Sequence, residues 1–524
     1  MIVGIDFGTS YSSVSIKDGS TVITLEQDLL HEKDSLGIPT VFMYDGSEYY
    51  FGSSWKNHVK NYADVIFNVK SLIRSSPDGF EKTVTSGNKI FKLREIVKLF
   101  LEFLLDETLH RAKKIGLKTP YLEAITITSP IGIDDNVRSE EYNRTMREIV
   151  SEILPDFDKT RIFVIEEPLA GAFSNFKNVS KINQSENLLV FDLGGGTLDL
   201  ALVTHHQGNV DSYQVRATGG DLHLGGNNWD EALTKALEKE LNIPKDRNDQ
   251  KKYEFNNEII NAKIALSDQD YVFFNYIDSN GREYSKEISL AYFNYHTKDL
   301  MNRALDQVSK LLTESKLKKQ DVDRISLVGG SSRMRQVFTS ISEYFPDLSP
   351  VKIEHFDVSN AISMGAAMYA EMKIYQEEMS WTDILHHSYG IDLKPRSDSE
   401  FEILYLLFKG EKLVNGEIKA KLDAGIRPES DGNRYVFFSV YESNITKDLV
   451  DAQGFYKMSK YERPTGLAVR VNVPIEYRGR ATQYTIYPTI CIDSNGILGI
   501  ELYDEINRLL DSKIKNVKKR IIEF

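Results

Sequence analysis

Phe191-Asp192-Leu193-Gly194-Gly195-Gly196-Thr197-Leu198-Asp199-Leu200 is the stretch on which the fold turns. An apolar run enters an aspartate, passes through three glycines and leaves as a clean apolar–polar alternation, the pattern of strand, turn and strand. The N-terminus carries an echo, Ile5-Asp6-Phe7-Gly8-Thr9-Ser10, with Asp, an apolar residue and Gly in the same order. Two related α/β halves facing each other account for such an internal repeat.

These turns suit a polyphosphate. Glycine lets backbone N–H groups approach phosphate oxygens with no side chain in the way. Hydroxyls of Thr9, Ser10 and Thr197 add hydrogen bonds. Asp6 and Asp192 at the strand ends would repel the phosphates unless a cation lay between. Mg²⁺, which usually keeps several waters, is the expected cation, held by these two carboxylates through water. The plainer alternative is a pair of glycine hairpins in a β-rich region, and the matched aspartates weigh against it. No Walker G-x-x-x-x-G-K-[ST] loop is present, so an ordinary P-loop enzyme is excluded.

Working outward, 524 residues exceed one ordinary core, and 41% apolar with 27% charged residues is a globular mix. A net charge of −13 argues against a nucleic-acid binder, which needs concentrated Lys and Arg. The single cysteine, Cys491, forms no internal disulfide and suits a reducing compartment. The start has no basic, apolar leader, and no run reaches the ~20 apolar residues of a membrane span, so a cytoplasmic, membrane-free protein is expected.

Residues 1–375 alternate between strand-like runs (Ala124–Thr128, Ile162–Ile165, Ile325–Val328) and helical stretches (Leu93–Ile115, Thr297–Leu312), which predicts layered α/β structure. Residues 376–388 read as a linker. Residues 389–503 are strand-rich, with turns at Asp431-Gly432-Asn433 and Ser494-Asn495-Gly496, and predict a mostly antiparallel β domain. In residues 504–524, Ile506, Leu509, Leu510, Ile514, Val517 and Ile521 recur at helical spacing, so a C-terminal helix is expected there. His386-His387 lacks a second pair at metal spacing, and no zinc site is assigned.

GIDFGTSYSSV, IEEPLAGAF, FDLGGGTLDLALV, GGDLHLGGNNWD, NAKIALS and LVGGSSRMRQV occur in the order found in the seventy-kilodalton heat-shock (DnaK-type) chaperones. The chain resembles that family over most of residues 1–370. The resemblance implies a two-lobed actin-like (ribonuclease H-like) ATPase domain that binds ATP or ADP with Mg²⁺. It implies phosphate-loop roles for Asp6, Gly8, Thr9, Ser10 and Tyr11, and for Gly194, Gly195, Gly196 and Thr197. Lys70 matches the lysine that positions the attacking water, and Glu167 and Asp199 match the other catalytic carboxylates; Asp6, Asp192 and Thr197 complete the expected catalytic set. Gly225 and Gly226 line up with the glycine pair near the terminal phosphate. Lys263 and Ser267 match one wall of the adenosine pocket, and Gly329, Gly330, Ser331 and Arg333 the other. Hydrolysis at such a site needs mainly positioning and charge neutralisation.

Departures are informative. Ile260 and Ile264 stand where the family usually has Glu and Arg, and Ser359 where it has Asp, which predicts weaker or less base-selective nucleotide binding. His387-Ser388-Tyr389-Gly390-Ile391, Phe437-Phe438-Ser439-Val440-Tyr441-Glu442 and Asn495-Gly496-Ile497-Leu498 resemble strands of the family's peptide-binding β domain. The implied partners are an extended apolar peptide or unfolded protein, a J-domain co-chaperone and a nucleotide-exchange factor. The usual helical lid is expected to shrink to the C-terminal helix. Three alternatives stay open: a sugar or acid kinase of the same superfamily, an actin-like filament protein, and a nucleotide switch with little turnover.

Overall fold

Two sheets of one topology form the first part of the molecule. The computed structural model describes residues 1–19, 21–24, 37–76, 79–114, 121–130, 139–176, 185–206, 212–349, 352–355, 360–375, 380–385, 387–392, 400–413, 417–422, 435–443, 445, 447–459, 467–472, 485, 487–492, 498–504 and 509–513. The chain divides into two compact units, Met1–Ser380 and Trp381–Phe524.

In the first lobe of unit one the strands run Ile162–Glu166, Ala124–Ser129, Ile2–Asp6, Tyr11–Asp18, Thr21–Thr24. In the second lobe they run Ile353–His355, Arg324–Val328, Ser185–Leu193, Leu198–His206, Ser212–Asp221. Each sheet is built around a strand with an antiparallel hairpin partner on one side and a parallel partner on the other. Ile5 faces Val14 and Ile127, and Phe191 faces Leu200 and Leu327, so the echo in the sequence is an echo in register. Ala124–Ser129 and Arg324–Val328 are buried at every residue, as strands covered on both faces must be.

The lobes are joined through two helices, Glu167–Phe176 and Ala361–Tyr375. Gly171 of the former packs on Val190 and Val328 of the second sheet, and Gly4 of the first sheet lies under the backbone of Ser363 in the latter. Where the helices cross, a side chain at Gly365 would collide with the Ala170 carbonyl, so only glycine permits the approach. A second contact between the lobes is aromatic: Tyr253 of the second-lobe helix Asp249–Ala265 meets first-lobe rings. Its ring centroid lies 5.2 Å from Trp55, 5.1 Å from Tyr62 and 6.0 Å from Phe67.

Unit two is an antiparallel β structure. One sheet runs Phe455–Ser459, Glu400–Leu407, Ser388–Asp392, Tyr435–Ser443, Leu467–Asn472, and the other Ile418–Lys421, Tyr487–Ile492, Leu498–Tyr503, Leu509–Lys513. Tyr389, Leu404 and Val440 of the first share one apolar cluster with Ile490 and Ile500 of the second, which is sandwich packing. Asn495, Gly496 and Ile497 lie outside the described residues.

Two expectations change. Leu509–Lys513 is a strand, not part of a C-terminal helix: Ile500 pairs with Lys513 and Leu502 with Asp511. The open edge of Leu498–Tyr503 supplies backbone partners, and tertiary pairing overrides a helical spacing that is only a weak local preference. Residues 514–524 lie outside the described residues. Within the expected linker, Ile384 and Leu385 are buried in the β unit. Leu385 donates its N–H to Glu411 O at 2.8 Å and accepts from Gly410 N–H at 2.8 Å.

Candidate functional site

Both aspartate–glycine turns lie at the ends of their central strands and face each other. Tyr11 opens the return strand of the first turn, and its carbonyl fills the space above Gly8. Gly194 closes the second turn by donating to Thr197 O at 3.0 Å. The Ser10 side chain takes the space at Gly195. A Cβ on Gly196 would lie 3.1 Å from Thr9 Oγ1 and 3.0 Å from Ser71 Oγ. The two halves therefore present their aspartate–glycine turns to one cleft.

Behind the loops lies a buried charged pocket. Lys70, on the short helix Val69–Arg74, is ion-paired with Glu167, and their side chains are 2% and 8% exposed. Thr128 donates to Asp6 at 3.1 Å, and Thr197 donates to Asp199 Oδ2 at 2.6 Å. Burial, followed by repulsion from Glu167, pushes Asp6 up to about 7, with Lys70 and Thr128 offsetting part of the rise. Asp199 rises to about 6 through burial and then Glu167, opposed by the Thr197 hydroxyl, Arg74 and Lys70. Asp192 is driven well above the carboxylate range by burial and by Glu167, Asp199 and Asp6. Burial opposes the charge on Lys70, yet Glu167, Tyr142 and Asp6 together hold its pKa above the ordinary value. Asp6 and Asp192 thus share one pocket and feel each other's charge.

The second lobe supplies the far wall. Helix Gly226–Leu241 begins against the glycine turn: Gly226 N–H donates to Gly194 O at 2.9 Å and Asn227 N–H to Gly195 O at 2.8 Å. A Cβ on Gly225 would lie 2.5 Å from the Gly196 nitrogen. Lys263 donates to Asp230 at 2.7 Å and to Gly226 O at 3.1 Å, and Ser331 fills the space beside Gly226. Gly329 holds φ at +78° with Asp192 packed against it, so a side chain there is excluded twice over. Gly330–Arg333 forms the following turn, with Arg333 an electrostatic neighbour of His355. Ser267 follows the Lys263 helix, its N–H donating to Ile264 O at 3.0 Å. Ile260 is half-buried and Ile264 exposed, while Ser359 lies outside the described residues.

Four members of this site were not singled out from sequence. Arg74 lies one helical turn from Lys70 and is an electrostatic neighbour of Asp199, a spacing visible in the sequence. Thr128 follows from the parallel register of its strand with Ile2–Asp6. Asp230 and Tyr142 arrive through tertiary packing and leave no local signal. Among the described residues no group of three or more His, Cys, Asp or Glu could hold a metal directly. No described helix is long and apolar enough to cross a membrane.

The amino-acid sequence is also similar to known proteins. The sequence model of the family described as Hsp70 protein matches residues 158–401. The chain is 30% identical over 353 residues to the chaperone protein DnaK of Ureaplasma urealyticum serovar 10, covering 66% of this chain and 54% of the relative. It is 31% identical over 351 residues to that of Metamycoplasma hominis, covering 65% and 54%. To that of Mycoplasmopsis synoviae it is 30% identical over 380 residues, covering 70% and 58%. The matches span little more than half the length of these relatives.

Proposed function

The chain belongs to the Hsp70, DnaK-type chaperone family, and on that premise we propose that it hydrolyses ATP in the cleft and couples hydrolysis to binding extended peptide in the β unit. The observation that carries the reading is the pair of aspartate–glycine turns facing one cleft with the Lys70–Glu167 pair behind them. The relatives named above are chaperone proteins, which does not favour the small-molecule kinase or filament alternatives.

Magnesium fits this donor set. Asp192, Asp199 and Glu167 are buried, and Asp6 half-buried, around Lys70 and Arg74, so carboxylates outnumber cations and a divalent cation would relieve their mutual repulsion. Asp6 and Asp192 would hold it through water, and the ion would supply charge neutralisation to the phosphates. The backbone N–H groups around Gly8–Tyr11 and Gly194–Thr197 cradle phosphate oxygens. Lys70 offsets charge on the terminal phosphate and orients the attacking water. Asp199, its orientation fixed by Thr197, and Glu167 hold that water and receive its proton. Lys263, Ser267, Gly329, Gly330, Ser331 and Arg333 form the adenosine side.

The same reading expects a cytoplasmic chaperone with J-domain and exchange-factor partners. ATP turnover measured with and without an unfolded apolar peptide, in wild type and Lys70→Ala, tests it. Peptide stimulation lost in the variant supports site and coupling together. A phosphorylated small-molecule product, or turnover indifferent to Lys70, overturns it.

A further inference from the structure

Tyr142 occupies a costly position. It sits on helix Ser139–Ile153 and is 3% exposed, in the same apolar core as Val69 and Ile73, which share a helix with Lys70. Its ring packs against Phe80, centroids 5.5 Å apart, so its orientation is fixed. Yet its hydroxyl has no hydrogen-bond partner among the described residues. A buried O–H left unmade opposes folding, and phenylalanine would fill the same space without that cost. The hydroxyl's electrostatic neighbours are Lys70, Glu167, Arg74 and Asp6, the groups of the charged pocket.

Lys70 is committed to Glu167. Drawing its ammonium toward a terminal phosphate leaves a buried carboxylate short of a donor, an arrangement that strongly opposes the move. Arg74, the other cation, acts on both Asp199 and Tyr142. The donor at hand is the Tyr142 hydroxyl, which is already desolvated and held by packing.

We propose that Tyr142 is a positioning residue: its hydroxyl donates to the Glu167 carboxylate when Lys70 turns to the phosphate. Glu167 then keeps one orientation while its lysine is engaged elsewhere, and the water it holds stays aligned. No covalent bond changes in this step; one hydrogen bond replaces another. The inference rests on the ATPase reading above and deepens it.

Tyr142→Phe tests it, since only the hydroxyl is lost and the ring contact with Phe80 remains. Steady-state ATPase, ADP affinity by calorimetry and Tm are measured on the full chain beside wild type. Expected are a kcat lowered about tenfold, as for loss of one charge-assisted hydrogen bond, an ADP affinity within about twofold, and a Tm equal or higher. Tyr142→Leu, which removes ring and hydroxyl, serves as a second variant and should match the kcat of Tyr142→Phe. Turnover of Tyr142→Phe at the wild-type rate overturns the inference and leaves the ATPase reading standing. A fall in kcat accompanied by equal losses in Tm and affinity overturns it in favour of a purely structural role. A wild-type chain without turnover overturns both.

Discussion

Trp55 and Tyr253 meet edge-on across the cleft, ring centroids 5.2 Å apart and planes at 85°. With Tyr62 and Phe67 they make an apolar clasp between the lobes. Aromatic pairs of this geometry contribute about 0.5–1.5 kcal/mol each beyond the area they bury. Tyr253→Ala should therefore speed ADP release about tenfold, read by chasing a fluorescent nucleotide with excess ATP. Release at the wild-type rate would show that the clasp does not restrain opening.

Lys70→Ala should cost about 3–5 kcal/mol of stability besides abolishing turnover, because Glu167 stays buried without its partner. Pairing Lys70→Met with Glu167→Leu should recover most of that stability and none of the activity. Urea denaturation measures the first effect and phosphate release the second. A double variant as unstable as the single one would contradict the assignment of the cost to a stranded carboxylate.

The pocket carboxylates set a pH dependence. Asp6 and Asp199 titrate in the folded protein at about 7 and about 6, above their unfolded value of 3.8. Between these limits the folded state holds more protons than the unfolded one, so their contribution to stability is fully present below pH ~4 and is lost as pH rises toward ~7. Asp6→Asn removes one such group. Its Tm should fall less than wild type between pH 5 and 8, and parallel Tm curves for the two proteins would refute this origin.

Ile264 leaves an exposed aliphatic surface beside Lys263. Ile264→Arg, which restores a cation able to stack on a base, should tighten ADP binding by roughly tenfold at most, the worth of one cation–π contact. Calorimetry with ADP and GDP reads both affinity and selectivity. Unchanged binding would place the base away from this helix face.

Much of this was legible because it is local. The two aspartate–glycine turns announce themselves within ten residues, and their register in the structure follows the same order. Lys70 and Glu167 are uninformative one at a time, and only their resemblance to a family pattern singles them out. Tyr142 lies 72 positions from Lys70 in the numbering, with nothing local to tie them, and enters the pocket only because one helix packs on another. Leu509–Lys513 misled for the converse reason: its spacing is helical, but the neighbouring strand's unpaired backbone decides its form.

Glu167 opens the helix that crosses its partner at Ala170 and Gly365. That crossing lies only about 4.5 Å along the axis from the carboxylate's backbone. A turn of about 10° there, modest for a hinge, swings Glu167 by roughly 0.8 Å, beyond the ~0.5 Å that preorganised chemistry tolerates. If the chain hydrolyses ATP as proposed, the joint should also act as a timing device, with turnover tied to the angle between the lobes.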